Sequence, residues 1–252
     1  MQTSERFTSR VTYYVQYRPR YPQVIIPFLE EAIGLTTETL IADIGSGTGF
    51  LAELFLTYGN QVFAVEPNDN MRAAADELYG DNARFHSVSG TAEQTTLPAH
   101  SIDLVTAGQA FHWFEVHKTR EEFRRILRAD GWVALVYNSW NIPQSPVADD
   151  YRSLLDRYST DVERITCQRK IGPSMAQFFS AGRPSEERFE NNQIYDFNAL
   201  RGRVLSASYA PLPGEPNFES MEADLRQLFD RHAEDGRLVF PYETTVCWGK
   251  IS

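Results

Sequence analysis

Asp43 and three glycines at alternate positions, Gly45, Gly47 and Gly49, lie within the run Leu40-Ile-Ala-Asp-Ile-Gly-Ser-Gly-Thr-Gly-Phe-Leu51. An apolar stretch delivers the chain to this turn, and a helical pattern begins directly after it. Glycine has no Cβ to keep a ligand away from the main chain. The helix beyond would aim its N-terminal N–H groups and the positive end of its dipole at that ligand. The spacing G-x-G-x-G is not the G-x-G-x-x-G of a dinucleotide-binding turn.

Other groups capable of chemistry recur at the ends of the apolar runs that follow. Glu66, with Pro67 behind it, closes Gln61-Val-Phe-Ala-Val65. A carboxylate there can accept hydrogen bonds from both hydroxyls of a ribose. Thr91, Ala92 and Glu93 follow a third run, and Gln109 and Phe111-His112-Trp113-Phe114 follow a fourth. His112 titrates at about 6.5 when unperturbed, which suits removal of a proton from a hydroxyl or amine. The rings beside it would shape a dry pocket and tolerate a cation. An N-terminal arm, residues 1–22, carries Tyr13, Tyr14, Tyr17 and Tyr21 with Arg18 and Arg20. Read as a lid, it brings Tyr14 to the reacting atoms, and Tyr17, Arg18 and Tyr21 join His112 and Trp113 around a substrate pocket. Packing alone would explain the same rings.

Bringing these groups together requires strands that end side by side. Strands are expected at 40–44, 61–65, 83–88, 101–107 and 132–137, with Asp130-Gly131 as punctuation before the last. Helices are expected at 24–33, 50–58, 68–79 (capped by Asn68) and 116–127. Pro27 either sets the first turn of its helix or kinks it. Strands alternating with helices argue for an α/β fold with a parallel sheet and right-handed crossovers. Such sheets bind ligands beyond the carboxyl ends of their strands, where strand order reverses. From Asn138 the pattern loosens into an inserted cap, about 139–185, with helices near 147–160 and 175–181. A strand at 189–197, helices at 198–208 and 219–232, and a closing strand at 237–248 complete one domain, 1–252.

The composition narrows the function classes. An apolar share of 42% over 252 residues supports a folded globule. A net charge of −10 and an isoelectric point near 5.0 argue against nucleic acid as partner. Cys167 and Cys247 lack ligand-like spacing and read as packed thiols, and no metal cluster is evident. No secretory leader or run of about 18 apolar residues is visible, so a cytoplasmic protein without membrane contact, monomer or homodimer, is expected.

The D-x-G-x-G-x-G run from Asp43 to Gly49, Glu66 beyond it, and the Y-x-x-x-R-P-x-Y-P pattern from Tyr14 to Pro22 resemble class I S-adenosylmethionine-dependent methyltransferases. The resemblance is to the small-molecule type, the group that includes trans-aconitate methyltransferase. It implies a Rossmann-like, seven-stranded, mostly parallel sheet of order 3-2-1-4-5-7-6, the last strand antiparallel, with helices on both faces. It implies S-adenosylmethionine as cofactor, S-adenosylhomocysteine as product, no metal, and a small-molecule acceptor (carboxylate, hydroxyl or carbon). Asp43, with the carbonyls of Gly45 and Gln109, would hold the ammonium of the methionine moiety. Ser46, Gly47 and Gly49 would form the floor, Glu66 and Pro67 would meet the ribose, and Thr91 and Ala92 the adenine. Thr91 stands where the family places an acid, and the adjacent Glu93 could substitute for it. Two rival readings are a cofactor-binding protein without turnover and an NAD-dependent oxidoreductase. The glycine spacing and the lack of a Tyr-x-x-x-Lys pair disfavour the latter.

Overall fold

The computed structural model describes residues 11–140, 142–159, 175, 177–179, 184–207 and 210–251. In chain order its elements are α1 (Val11–Tyr17), α2 (Ile25–Ile33), β1 (Ile41–Ile44), α3 (Phe50–Tyr58), β2 (Val62–Val65), α4 (Asp69–Tyr79), β3 (Phe85–Val88) and β4 (Ile102–Gly108). A 3-10 turn (Phe111–Trp113), α5 (Val116–Ile126), β5 (Leu127–Ser139) and α6 (Pro146–Tyr158) follow. The chain closes with β6 (Ser185–Glu190), β7 (Gln193–Tyr195), α7 (Phe197–Leu205), α8 (Phe218–His232), β8 (Leu238–Phe240) and β9 (Glu243–Gly249). Two compact units result, one of residues 20–137, 168–189 and 244–252, the other of 1–19, 138–167 and 190–243.

The first unit carries a seven-stranded sheet of order β3-β2-β1-β4-β5-β9-β6. β1 runs parallel to β2 and β4, β2 to β3, and β4 to β5, while the last strand is antiparallel. All four residues of β1 are buried, as a strand covered on both faces requires. Alternation divides the core. Ala42, Ile44, Val105 and Leu135 pack with Phe111, Phe123 and Phe178. Ile41, Leu104, Ala134 and Val136 pack with Ile25, Leu29 and Phe55.

Local signals account for most helix ends. The Asn68 side chain accepts from the Asn70 and Met71 N–H groups at 3.0 and 3.1 Å, satisfying two donors that a helix leaves orphaned. Pro27 is the third residue of α2, where its missing N–H had no helical acceptor to lose, so it sets the first turn. Of the expected helix at 175–181, Met175, Gln177 and Phe178 are helical; residues 160–174 of the expected cap lie outside the described residues. Cys247 is buried, and burial foremost, then the neighbouring Glu186, pushes its thiol up to about 12. Cys167 lies outside the described residues.

Three expected boundaries shift. β5 begins at Leu127 and continues through Asp130-Gly131. Its register with β4 jumps between Ile102↔Leu127 and Leu104↔Trp132, and the extra residues bulge outward, held by Arg128–Asp103 at 2.8 Å and Lys250–Asp130 at 3.2 Å. The strands expected at 189–197 and 237–248 each break in two. Pro241 has no N–H to continue a ladder, and around it Asn191 N bonds Tyr242 O at 2.9 Å and Tyr242 N bonds Asn192 Oδ1 at 3.1 Å. β7 and β8 therefore pair with each other, antiparallel, in the second unit.

That second unit packs α1, α6, α7 and α8 with the β7–β8 pair around Tyr151, Leu200, Leu225 and Phe240. Tyr151 meets Phe240 edge-on at 5.0 Å. The ring of Tyr17 occupies the space a Cβ on Gly202 would need, which makes glycine obligatory there.

Candidate functional site

All three loop glycines have positive φ, +66° at Gly45, +58° at Gly47 and +85° at Gly49, a region costly for side-chain-bearing residues. Their surroundings differ. A Cβ on Gly45 would stand 2.7 Å from Ala110 Cβ, and one on Gly49 would stand 2.7 Å from the Tyr79 ring. A Cβ on Gly47 would meet nothing within 4 Å. Protein packing demands the outer two glycines; the middle one presents bare backbone to open space. The loop is moored to β2, whose terminal carbonyl at Val65 accepts from Gly45 N at 2.8 Å and Ser46 N at 3.1 Å.

Glu66 directly follows β2 and is only 8% exposed. Its Oε2 accepts from Gly47 N at 3.0 Å and its Oε1 from Asn68 N at 2.9 Å. Arg72 Nη1 donates to the Glu66 carbonyl at 2.8 Å. Burial raises the Glu66 carboxyl, opposed by those two N–H bonds and the Arg72 charge. Each oxygen keeps a second acceptor position, so the carboxylate can still receive two hydroxyls. Pro67 beside it is exposed.

Asp43 is wholly buried in β1. Thr106 Oγ1 donates to its Oδ1 at 3.1 Å, and Oδ2 has no hydrogen bond of full geometry among the described residues. Burial lifts its pKa to about 7, against lowering by the Thr106 hydroxyl and the Ala52 N–H, with the Glu66 charge adding to the rise. An acid held this way is poised to gain a cationic partner.

Beyond β3, Thr91 is exposed and Ala92 buried, with Thr91 N and Gln94 N exchanging bonds to each other's carbonyls at 3.0 and 3.2 Å. Glu93 is drawn to the start of α5, where Oε1 accepts from Glu115 N at 2.9 Å and Thr119 Oγ1 at 3.4 Å. Beyond β4, Gln109 adopts φ +55°, a left-handed conformation unusual for glutamine, with its N–H on Val136 O at 3.0 Å. The Tyr21 hydroxyl packs over Gly108, 2.5 Å from where a Cβ would be. His112 and Trp113 tilt together at 4.7 Å, Trp113 being 44% exposed, while Phe111 is buried edge-on to Phe178 at 5.1 Å.

The sheet thus gathers Asp43, Gly45, Ser46, Gly47, Gly49, Glu66, Pro67, Thr91, Ala92, Gln109, His112, Trp113 and Tyr21 in one unit. Tyr17 and Arg18 belong to the other, the Tyr17 ring packed against Gly202 of α7 and Arg18 Nη2 donating to Ser206 O at 3.2 Å. The Tyr14 side chain lies outside the described residues. Thr106, Arg72 and Tyr79 escaped sequence reasoning, although a threonine inside the apolar run Ile102–Ala107 was a signal for the first. Among the described residues no helix is long and apolar enough to cross a membrane.

Residues 42–135 match the family described as a methyltransferase domain. Over 133 residues the chain is 34% identical to an uncharacterized methyltransferase of Mycobacterium tuberculosis, covering 53% of this chain and 52% of that protein. It spans about half the length of the curated relatives it matches. A solved protein of Anaeromyxobacter dehalogenans, described as a putative type II methyltransferase, superposes with TM-score 0.65 at 22% identity over 93% of this chain and 98% of that one. A phosphoethanolamine N-methyltransferase of Haemonchus contortus, solved with phosphomonomethylethanolamine and S-adenosylhomocysteine, superposes with TM-score 0.54 at 16% identity over 98% of this chain and 57% of that one. The fold is the Rossmann-like fold of class I methyltransferases.

Proposed function

We propose that the protein binds S-adenosylmethionine at the Gly45–Gly49 turn and transfers its methyl group to a small-molecule acceptor. The observation that carries this reading is Gly47, whose backbone faces open space between two glycines that packing explains, with Glu66 bonded to its N–H at 3.0 Å. The buried Oδ2 of Asp43 suits the ammonium of the methionine moiety. Glu66 suits the ribose hydroxyls, and Thr91 with Ala92 the adenine. When bound, the cofactor supplies an electrophilic methyl on a cationic sulfur and departs as the neutral thioether. The chain's part is to align the acceptor and exclude water, a task that suits Phe111, Trp113 and Tyr21. His112 would take the proton of a hydroxyl or amine acceptor; a carboxylate acceptor needs no base. The net charge of −10 speaks for a small molecule over a nucleic acid.

Calorimetry with S-adenosylmethionine, S-adenosylhomocysteine and NAD tests the reading. Saturable binding of the first two is expected, and tight NAD binding with no response to either would overturn it. Incubation with methyl-labelled cofactor and a panel of carboxylate, hydroxyl and carbon acceptors is expected to label one class. Binding without any transfer would favour a cofactor-holding protein instead.

A further inference from the structure

Arg20 lies beside the glycine turn, in the sheet-bearing unit, and has no role in the site so far described. Its guanidinium carbon stands 3.7 Å from the centroid of the Phe50 ring. Its Nη1 donates to Glu53 Oε2 at 2.8 Å and to the Tyr79 hydroxyl at 3.2 Å. Phe50 is the first residue of α3, Glu53 is the acid of its first turn, and Tyr79 is the last residue of α4. The Tyr79 ring fills the space of the missing Gly49 Cβ. One planar cation therefore joins three side chains that border the last glycine of the loop.

Electrostatics give this clamp a consequence. The N-terminus of α3 favours an anion through its dipole, and the carboxylate of a methionine moiety is one. Glu53 sets a like charge in the same turn, and Arg20 offsets it. Both side chains are about two-fifths exposed, 42% and 41%, so the pair contributes little to global stability. Lysine could keep the charge but neither the fork nor the flat stack on Phe50.

We infer that Arg20 is a positioning residue for the cofactor, holding the Gly49 turn through Phe50 and Tyr79 and cancelling the charge that Glu53 would turn on the cofactor's carboxylate. The inference rests on the proposed S-adenosylmethionine site. Docking of residues 20–22 and cofactor binding then strengthen each other by the same factor.

Calorimetric titration with S-adenosylhomocysteine on the full chain tests it. Arg20→Ala is expected to weaken binding about tenfold or more, and Arg20→Lys and Tyr79→Phe about threefold each. Tyr79→Phe removes one hydroxyl and keeps the fold, so it carries the test should Arg20→Ala fail to fold. Adding Glu53→Gln to Arg20→Ala is expected to restore part of the affinity, which a purely structural role for Arg20 would not predict. Wild-type affinity in both Arg20→Ala and Tyr79→Phe, with the wild type binding normally, overturns the inference and leaves the proposed function standing. A loss in Arg20→Ala that Glu53→Gln does not relieve, with Tyr79→Phe unaffected, also overturns it. A wild type that binds neither S-adenosylmethionine nor S-adenosylhomocysteine removes the proposed function and this inference together.

Discussion

Asp43 and Glu66 are both buried acids at strand ends, yet they answer to different partners. Glu66 is held by two backbone N–H groups, so its charged form is organised before any ligand arrives. Asp43 has one hydroxyl on Oδ1, and burial keeps its carboxyl at about 7 against 3.8 for an ordinary aspartate. The folded chain then holds a proton that the unfolded chain has lost across that window. Stability from this group is complete below about 4, declines as pH rises, and is gone above about 7, a change on the order of 4 kcal/mol. Asp43→Asn is expected to lose this slope, measured by denaturant unfolding at pH 5 and pH 8. Equal slopes in variant and wild type would show that Asp43 does not titrate in the window. Cofactor affinity is expected to rise through the same range as the carboxylate forms and pairs with the ammonium, and this rise should vanish in Asp43→Asn. Glu66→Ala is expected to weaken S-adenosylhomocysteine binding by roughly 1.5–3 kcal/mol, the range for hydrogen bonds to a charged group. Unchanged affinity in a calorimetric titration would remove Glu66 from the ribose.

At the scale of elements, the loop after β3 is pinned to α5 by one acid. Glu122 Oε1 accepts from Thr95 N at 2.8 Å and Thr95 Oγ1 at 2.6 Å. Arg125 bonds both carboxylate oxygens at 2.7 Å and reaches on to Leu97 O at 2.8 Å. The Arg125 bond foremost, then those from Thr95, hold the Glu122 pKa down at about 2 against an ordinary 4.5. Its contribution is therefore present above about 4.5 and lost as pH falls toward 2. Glu122→Gln is expected to cost about 1–3 kcal/mol, because two buried donors lose a charged acceptor. Hydrogen exchange at the Thr95 amide should quicken in step with the loss of stability. An amide that exchanges at the wild-type rate would show that the loop is held by other contacts. Thr91 and Ala92 ride on this loop, so the same variant is expected to weaken adenine binding more than Glu93→Gln does.

For the whole molecule, the family match ends at residue 135, inside β5. The sheet does not end there. β9 and β6 return from the far end of the chain to cover β5, and Phe178, Phe179 and Cys247 complete its apolar layer. A fragment of residues 20–139 would expose the long β5 edge and one side of its core. It is expected to aggregate or melt without a cooperative transition, as read by gel filtration and near-ultraviolet circular dichroism. A monomeric fragment with a sharp transition would show that the first five strands suffice.

From Ile25 to Gly108 the fold was readable because each local signal agreed with its neighbours: short apolar strands, Asn68 as a cap, Gly34 and Gly59 as stops. The glycine turn and Glu66 were readable too, since they follow strands within a few residues. Chain-local reading failed where a contact between distant segments chose among equal options. Pro241 and the Asn191-Asn192 pair split two strands only because they face each other across fifty residues. Glu93, expected beside the adenine, also accepts from Glu115 N, which only the fold brings to it. Thr106 gained meaning from Asp43 on the adjacent strand, and Arg20 from Tyr79, which closes α4 next to Gly49. The sequence by itself determined the strand–turn–helix that presents bare backbone to a ligand, because backbone freedom and hydrophobic period are properties of consecutive residues. Which N–H groups hold Glu66, how far burial pushes Asp43 up (to about 7), and which glycine faces open space were decided only in three dimensions, because burial and approach distance are set by segments remote in the chain.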